Sequence, residues 1–181
     1  METTKTKWAI DPVHSEIAFK VKHLMISNVK GSFKEFDATV YTTGDDFSTA
    51  EIEFSLKPAS VQTGNPDRDG HLMSADFFDV ANHDLITFKS DSLKSVDEDG
   101  NYELAGAMTI KGVTRDLKLE VEFGGIMQDP WGNSKAGFTL NGKINRKDWG
   151  LTWNAALEAG GVLVGEEVKI NCDVELVKSA N

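Results

Sequence analysis

Residues 102–123, which read YELAGAMTIKGVTRDLKLEVEF, decide the fold class. From Leu117 to Phe123 every second residue is apolar and the residues between them are charged, which is the period of a strand with one buried face. A similar alternation precedes Lys111 and Gly112. A two-residue connection between two long alternating segments predicts an antiparallel hairpin.

The same period of two recurs along nearly the whole chain. The alternating segments lie near residues 17–21, 31–41, 52–56, 86–88, 102–110, 113–123, 138–140 and 167–177. One apolar and one polar face per strand is typical of an antiparallel sheet, and closing such a sheet removes its edges. The longest strands span about 30 Å at about 3.3 Å per residue. We therefore predict an all-β protein, a closed antiparallel eight-stranded barrel.

Three segments depart from this pattern. Alternation stops after the Gly, Pro and Asp cluster at 64–70, which predicts a short helical segment near 69–78. Residues 1–7 are predicted to form a flexible N-terminal segment before a single domain at 8–178. The Gly-rich run at 160–165 fits either a mobile flap or a bulged strand.

Composition excludes several classes of partner. The chain has 19 basic and 29 acidic residues, a net charge of −10. This balance argues against nucleic acid as a partner and against docking on an anionic membrane through a basic patch. No run approaches 18 apolar residues, so we predict no integral membrane segment. The N-terminus lacks the pattern of a secretory signal, and we expect a cytoplasmic protein, or a periplasmic one if the chain is a processed mature form.

The residue types that carry catalysis form no recognisable motif. Cys172 is the single cysteine, so neither a disulfide nor a zinc ribbon forms within one chain. No nucleophile elbow or phosphate-binding loop is present. We predict no catalytic residues, no cofactor and no metal. The open alternative is a metal-assisted enzyme acting on a lipid through His14, His23 or His71.

Five separated phrases of the sequence resemble the YceI-like, polyisoprenoid-binding proteins. The phrases are Trp8–His23, Val29–Phe36, Arg68–Asp79, Gly106–Thr114 and Ile144–Leu151. They occur in family order over nearly the full chain. The resemblance implies a lipocalin-like barrel that holds a long-chain isoprenoid, such as a polyisoprenoid or isoprenoid quinone, and that sequesters or transports it without catalysis. Fatty-acid-like amphiphiles are the alternative ligand, and exposed barrel strands allow a homodimer.

The inward-facing apolar residues are the candidate wall of a lipid tunnel. The candidates are Ile17, Phe19, Phe36, Ile52, Phe54, Phe88, Met108, Leu117, Leu119, Val121, Phe138 and Val174. Alternation alone fits a packed core equally well, and a packed barrel that acts through its surface with no ligand stays open.

Polar and amphipathic residues in loops are the candidate mouth, where a ligand's head group would lie. The candidates are Arg68, His71, Arg146, Trp149 and Trp153. An arginine fork suits a phosphate or carboxylate, and tryptophan suits a boundary between apolar and wet surroundings. The alternative for Arg146 is an ion pair with Asp148.

Overall fold

The computed structural model describes residues 5–155, 157 and 162–179. These residues form eleven strands, one α-helix and three 3₁₀ turns. The strands are β1 Lys5–Ile10, β2 Glu16–His23, β3 Ser27–Phe33, β4 Phe36–Thr43, β5 Asp46–Leu56, β6 Val61–Gln62, β7 Ile86–Ser95, β8 Asn101–Ile110, β9 Val113–Gln128, β10 Ser134–Asn145 and β11 Val164–Lys178. The helix, α1, is Pro66–Met73, and the 3₁₀ turns are Pro12–His14, Pro58–Ser60 and Arg146–Trp149.

Eight of the strands in the described part of the chain close into an antiparallel ring. Its order is β1-β4-β5-β7-β8-β9-β10-β11, and β11 pairs back with β1. The predicted eight-stranded barrel is confirmed. The turn between β8 and β9 places Ile110 opposite Val113, and Lys111 and Gly112 both have positive φ, as a two-residue hairpin requires.

The remaining strands, β2, β3 and β6, extend the sheet at one end of the ring. β11 pairs with β1 near Leu176 and with β2 near Ile170, because the 3₁₀ turn at Pro12–His14 separates β1 from β2. β3 pairs with β2 and continues into β4 after two residues. The strand predicted around 31–41 is therefore interrupted at residues 34 and 35, and β4 begins at Phe36.

The helix lies slightly earlier in the chain than the predicted segment at 69–78. The Asn65 side-chain oxygen accepts hydrogen bonds from the backbone N–H groups of Asp67 and Arg68, and Pro66 occupies the first turn. This is a strong helix start. The helix ends at Met73 and gives way to turns. No helix in the described ranges is long and apolar enough to cross a membrane.

The other two segments that depart from the alternation are residues 1–7 and residues 160–165. β1 begins at Lys5, which lies opposite Thr43 of β4, so residues 5–7 belong to the sheet rather than to a flexible segment. Residues 1–4 lie outside the described residues, as do residues 160 and 161 of the predicted flap. Val164 begins β11, and its pairing with β2 shifts register before Val168, which is the geometry of a bulged strand.

One end of the barrel is filled by an aromatic cluster. Phe47 lies with its ring centroid 5.0 Å from that of Trp8, 5.3 Å from that of Phe123 and 4.9 Å from that of Phe138. Trp8 is fully buried, and its indole N–H donates to the Thr42 hydroxyl at 2.9 Å. These contacts make a solid floor beneath the barrel interior.

Candidate functional site

An apolar cavity of about 410 Å³ occupies the barrel interior above this floor. Side chains from all eight ring strands line it, together with α1 and the turns after it. The volume falls in the range of about 300–1,000 Å³ that small-molecule sites occupy. The interior is therefore not a fully packed core, although alternation alone allowed one.

Eleven of the twelve predicted wall residues line this cavity. They are Ile17, Phe19, Ile52, Phe54, Phe88, Met108, Leu117, Leu119, Val121, Phe138 and Val174. Phe36 is not in the wall. It is half-buried and packs against the core where β4 begins after the break from β3, so its inward parity does not bring it over the cavity.

Close packing of wall side chains on glycines keeps the cavity open. The Phe19 ring lies directly over Gly31 of β3, and Leu119 lies directly over Gly142 of β10, so that a Cβ atom at either glycine would collide with them. Because these glycines lack side chains, the two apolar groups lie flat against the wall instead of filling the centre.

The polar side chains of the cavity gather at the end opposite the aromatic floor. His23 comes from the end of β2, Arg68 and His71 from α1, and Arg146 from the turn after β10. Arg68 and His71 are partly exposed, which makes this end the mouth. Sequence reasoning considered His23 only as a possible metal ligand and gave it no place at the mouth.

Thr63 holds Arg68 so that one nitrogen of the guanidinium group stays available to a ligand. Its Nε donates to the Thr63 hydroxyl at 2.7 Å and its Nη2 to the Thr63 carbonyl at 2.6 Å. Thr63 is fixed in turn by Asp69, whose carboxylate accepts from the Thr63 backbone N–H at 2.9 Å. The Arg68 Nη1 has no hydrogen-bond partner among the described residues, so it can donate to a ligand.

His71 sits between an acid and two aromatic rings. One ring nitrogen, Nε2, lies 2.9 Å from Asp76 Oδ2. The imidazole meets Trp153 edge-on with centroids 4.5 Å apart, and Phe77 at 5.1 Å. Trp153 is itself partly exposed and lines the cavity. The structure thus brings the predicted mouth residues Arg68, His71 and Trp153 together.

Arg146 lies in the cavity lining, but its donors are already committed. Its guanidinium donates to the backbone carbonyls of Leu151 at 2.6 Å, Trp153 at 2.9 Å and Gly165 at 2.8 Å. Only 3% of the residue is exposed, and burial lowers the pKa of the guanidinium. The alternative ion pair with Asp148 does not form. Arg146 is therefore a clamp on the loop after β10, and it adds positive potential to the mouth.

Trp149 does not belong to the mouth. It is buried, absent from the cavity lining, and its indole N–H donates to the Met108 carbonyl at 2.9 Å. The 3₁₀ turn at Arg146–Trp149 places this ring in the buried core beside β8, a position that no sequence pattern in the loop reveals.

Cys172 is the one thiol of the chain and lies in the cavity wall. Burial raises the pKa of this thiol to about 11. The group therefore stays protonated near neutral pH and is a poor nucleophile. It contributes a small apolar surface to the cavity.

A second polar cluster lies away from the mouth, at the junction of β1 and β2. Asp11, His14 and Glu175 come close enough to hold a metal. The Lys135 ammonium nitrogen, however, lies 2.9 Å from Asp11 Oδ2 and 3.0 Å from Glu175 Oε1, so a lysine already pairs with both carboxylates. The hydrogen bond from Lys135, followed by that from His14, holds the pKa of the Asp11 carboxyl well below its usual range. The cluster is an ion-pair network built on Lys135, and His23 and His71 lie elsewhere, at the mouth.

The chain is similar to known proteins along most of its length. The sequence profile of the YceI-like domain matches residues 8–176. The chain belongs to the YceI-like family. A UPF0312 protein of Staphylococcus epidermidis is 41% identical over 171 residues, which cover 94% of this chain and 96% of the relative.

Solved YceI-like structures share the barrel. The Campylobacter jejuni YceI protein has 34% identity and a TM-score of 0.75, with 89% of this chain and 91% of that chain covered. A polyisoprenoid-binding domain from Saccharophagus degradans superposes with a TM-score of 0.69, covering 95% and 98% of the two chains. Its identity is 15%, so this second similarity concerns the fold.

Proposed function

We propose that this YceI-like protein binds one long-chain amphiphilic lipid, with the apolar chain in the barrel cavity and the polar head at the mouth. The observation that carries the proposal is the asymmetry of the cavity. Its wall is apolar from the aromatic floor upward, and its cations gather at the other end. A molecule with one long apolar part and one polar end matches this arrangement.

The cavity volume sets the length of chain that fits. At about 30 Å³ for each water-sized group, 410 Å³ holds about fourteen carbons, or about three isoprene units. Burying these carbons contributes about 11 kcal/mol before losses, at about 0.8 kcal/mol each. At the low end of the cost of ordering and immobilising the chain, about 4 kcal/mol, about 7 kcal/mol remains, which corresponds to a dissociation constant of roughly 10 μM. A chain of about this length fills the cavity and leaves its polar end at the mouth.

The head group we propose is anionic. Arg68 offers an unpartnered Nη1, and the buried Arg146 charge lies in the same lining with no carboxylate in ion-pair contact in the described ranges. An isoprenoid diphosphate and a fatty acid both carry an anion on a long chain, and charge-assisted hydrogen bonds bind either. Isoprenoids are our first candidate because of the resemblance of the five sequence phrases.

We propose sequestration or transport rather than catalysis. The thiol in the wall stays protonated, and Lys135 fills the cluster that would hold a metal. The mouth does contain one His–carboxylate pair, His71 with Asp76. Turnover of a bound lipid that depends on His71 would replace this proposal with an enzymatic one. The cytoplasmic location and the homodimer stay predictions.

The binding test uses delipidated protein and three defined probes: farnesyl diphosphate, farnesol and oleic acid. We expect saturable one-to-one binding by calorimetry. Leu119→Glu puts a charge inside the cavity and should abolish it. Lys118→Glu places the same residue at the adjacent exposed position, outside the cavity, and should leave binding unchanged. Gly142→Ala displaces Leu119 into the cavity without a charge and should weaken binding even if Leu119→Glu fails to fold. Unchanged affinity in both cavity variants contradicts the interior site.

A further inference from the structure

Residues 17–34 are basic although the protein as a whole is acidic. They contain four lysines, Lys20, Lys22, Lys30 and Lys34, and no Asp or Glu. The stretch therefore carries +4, and the rest of the chain carries −14, which together give the net −10. Salt limits the reach of each exposed charge to about 10 Å, so a local patch acts largely independently of distant acids. This stretch folds as β2, β3 and their connecting turn.

Four lysines stand side by side on the outside of this wall. Lys143 of β10 lies opposite Lys169 of β11, Lys169 opposite Lys20 of β2, and Lys20 opposite Lys30 of β3. The residues that flank Lys20 and Lys169 line the cavity, so these lysines face outward. Like charges directly opposite each other destabilise a sheet. Within residues 5–155, 157 and 162–179, only Lys143 in this row has an ion-pair partner, Glu167 at 3.9 Å.

The tip of the same hairpin is apolar and exposed. Leu24, Met25 and Ile26 form the turn, and Ile26 is 81% exposed. Leu24 and Met25 both have positive φ, where Asn or Gly would sit without strain. The turn therefore holds large apolar side chains in water, in a backbone conformation that disfavours them.

The tip adjoins the mouth of the cavity. His23, just before the tip, lines the polar end of the cavity. The backbone N–H of Leu24 donates to the Leu163 carbonyl at 2.9 Å, and Leu163 lines the cavity as well. Whatever the tip contacts therefore lies beside the opening through which a ligand passes.

We propose that the β2–β3 hairpin docks the barrel on an anionic lipid bilayer. The apolar tip enters the interfacial region, and the lysine row meets the anionic head groups. Lys20 lies four residues from Leu24, roughly 13 Å along the strand at about 3.3 Å per residue, so both elements reach one interface. Apolar side chains beside a basic cluster are the combination that binds such surfaces. A soluble polyanion would satisfy the lysines and leave the tip unexplained.

This proposal departs from the expectation drawn from net charge, because it assigns the contact to a local patch rather than to the total charge. It also goes beyond ligand binding, since it places exchange of the ligand at a bilayer. Docking needs no ligand in the cavity, so its test is independent of the proposed function.

The test is sedimentation of the purified full chain with sucrose-loaded vesicles. Vesicles of equal phosphatidylcholine and phosphatidylglycerol should bind the protein, and vesicles of phosphatidylcholine alone should bind it far less. Lys20→Gln with Lys30→Gln should weaken binding about fivefold for each lysine removed. Ile26→Asn should weaken it roughly tenfold through lost apolar contact. All binding should decrease as salt rises.

Two matched controls separate the hairpin from general surface effects. Lys118→Gln removes a lysine from the outer face of β9, and Trp131→Asn removes an exposed aromatic from the β9–β10 turn at the floor end. Both should leave vesicle binding unchanged, and unaltered thermal unfolding verifies the fold of every variant. Equal losses in hairpin and control variants overturn the proposal. The proposal is also overturned if the protein binds soluble polyphosphate but not vesicles, and if Ile26→Asn leaves that polyphosphate binding unchanged.

Discussion

The side chains at the two ends of the barrel differ in burial and polarity. At the floor, Trp8 and Phe47 are almost fully buried among other rings, and the polar indole N–H is satisfied inside the protein. At the mouth, Arg68 and His71 are partly exposed and held by a few hydrogen bonds. The floor is arranged for stability, whereas the proposed function assigns contact with a ligand to the mouth. Mutations at the two ends should therefore separate stability from binding.

The largest expected effect is at the floor. Trp8→Ala removes a fully buried ring that does not line the cavity. It should lower the free energy of unfolding by about 3–5 kcal/mol, measured by urea denaturation. Trp131→Ala, at an exposed position in the same half of the barrel, is the control and should change it little. A loss below 1 kcal/mol for Trp8→Ala would contradict the role of the floor.

The next effect is at the clamp behind the mouth. Arg146→Met leaves several buried carbonyls without their charged donor and should cost about 3 kcal/mol of unfolding free energy. Arg146→Lys keeps the charge but not the planar fork, so it should recover only part of this loss. If Arg146→Met leaves stability unchanged and only weakens binding, the residue is a head-group ligand and not a clamp.

A smaller effect is expected midway between the ends. Asp11 has a lowered pKa in the folded protein, so its ion pair stabilises the fold above its ordinary pKa, about 3.9, and this contribution is lost as pH falls below that value. Asp11→Asn should cost about 2 kcal/mol at pH 7 and progressively less in acid. Ligand affinity should not change, because the cluster lies off the cavity. A constant difference from pH 7 to pH 2 would contradict the assigned ion pair.

The smallest effect, about tenfold in affinity, is at the mouth itself. Arg68→Met should weaken farnesyl diphosphate by about that factor, as loss of one charge-assisted hydrogen bond predicts, and leave farnesol nearly unaffected. Arg68→Lys should keep part of the difference between the two probes. Calorimetry measures both ligands, and thermal unfolding checks the fold. Equal weakening of both probes would remove Arg68 from head-group recognition.

More of the predicted wall residues than of the predicted mouth residues line the cavity, and the aromatic floor was not predicted from the sequence. Period-two alternation places Leu117, Leu119 and Val121 on the inner face because strand geometry leaves no other choice. Phe36 obeys the same parity but sits at the break between β3 and β4, which alternation does not reveal. In the loops no period constrains direction, so Trp149 and Trp153 look alike in sequence, yet one is buried against β8 and the other lines the mouth.

The sequence also did not reveal which charged residues become neighbours in the fold. The net value of −10 describes the whole chain, whereas strand register decides which charges are neighbours. Lys143, Lys169, Lys20 and Lys30 are far apart in the chain and become one row only through the pairing of β10, β11, β2 and β3. The basic character of 17–34 was visible in the sequence. Its position beside the mouth was not.

The most direct measurement is native mass spectrometry of the protein as purified, beside mass spectrometry of its organic extract. The central claim is that the interior holds the chain of one lipid. It predicts a one-to-one complex whose extracted component has a long apolar chain and an anionic or polar end. Protein without bound mass, which stays empty after incubation with farnesyl diphosphate, isoprenoid quinone and oleic acid, would contradict the claim.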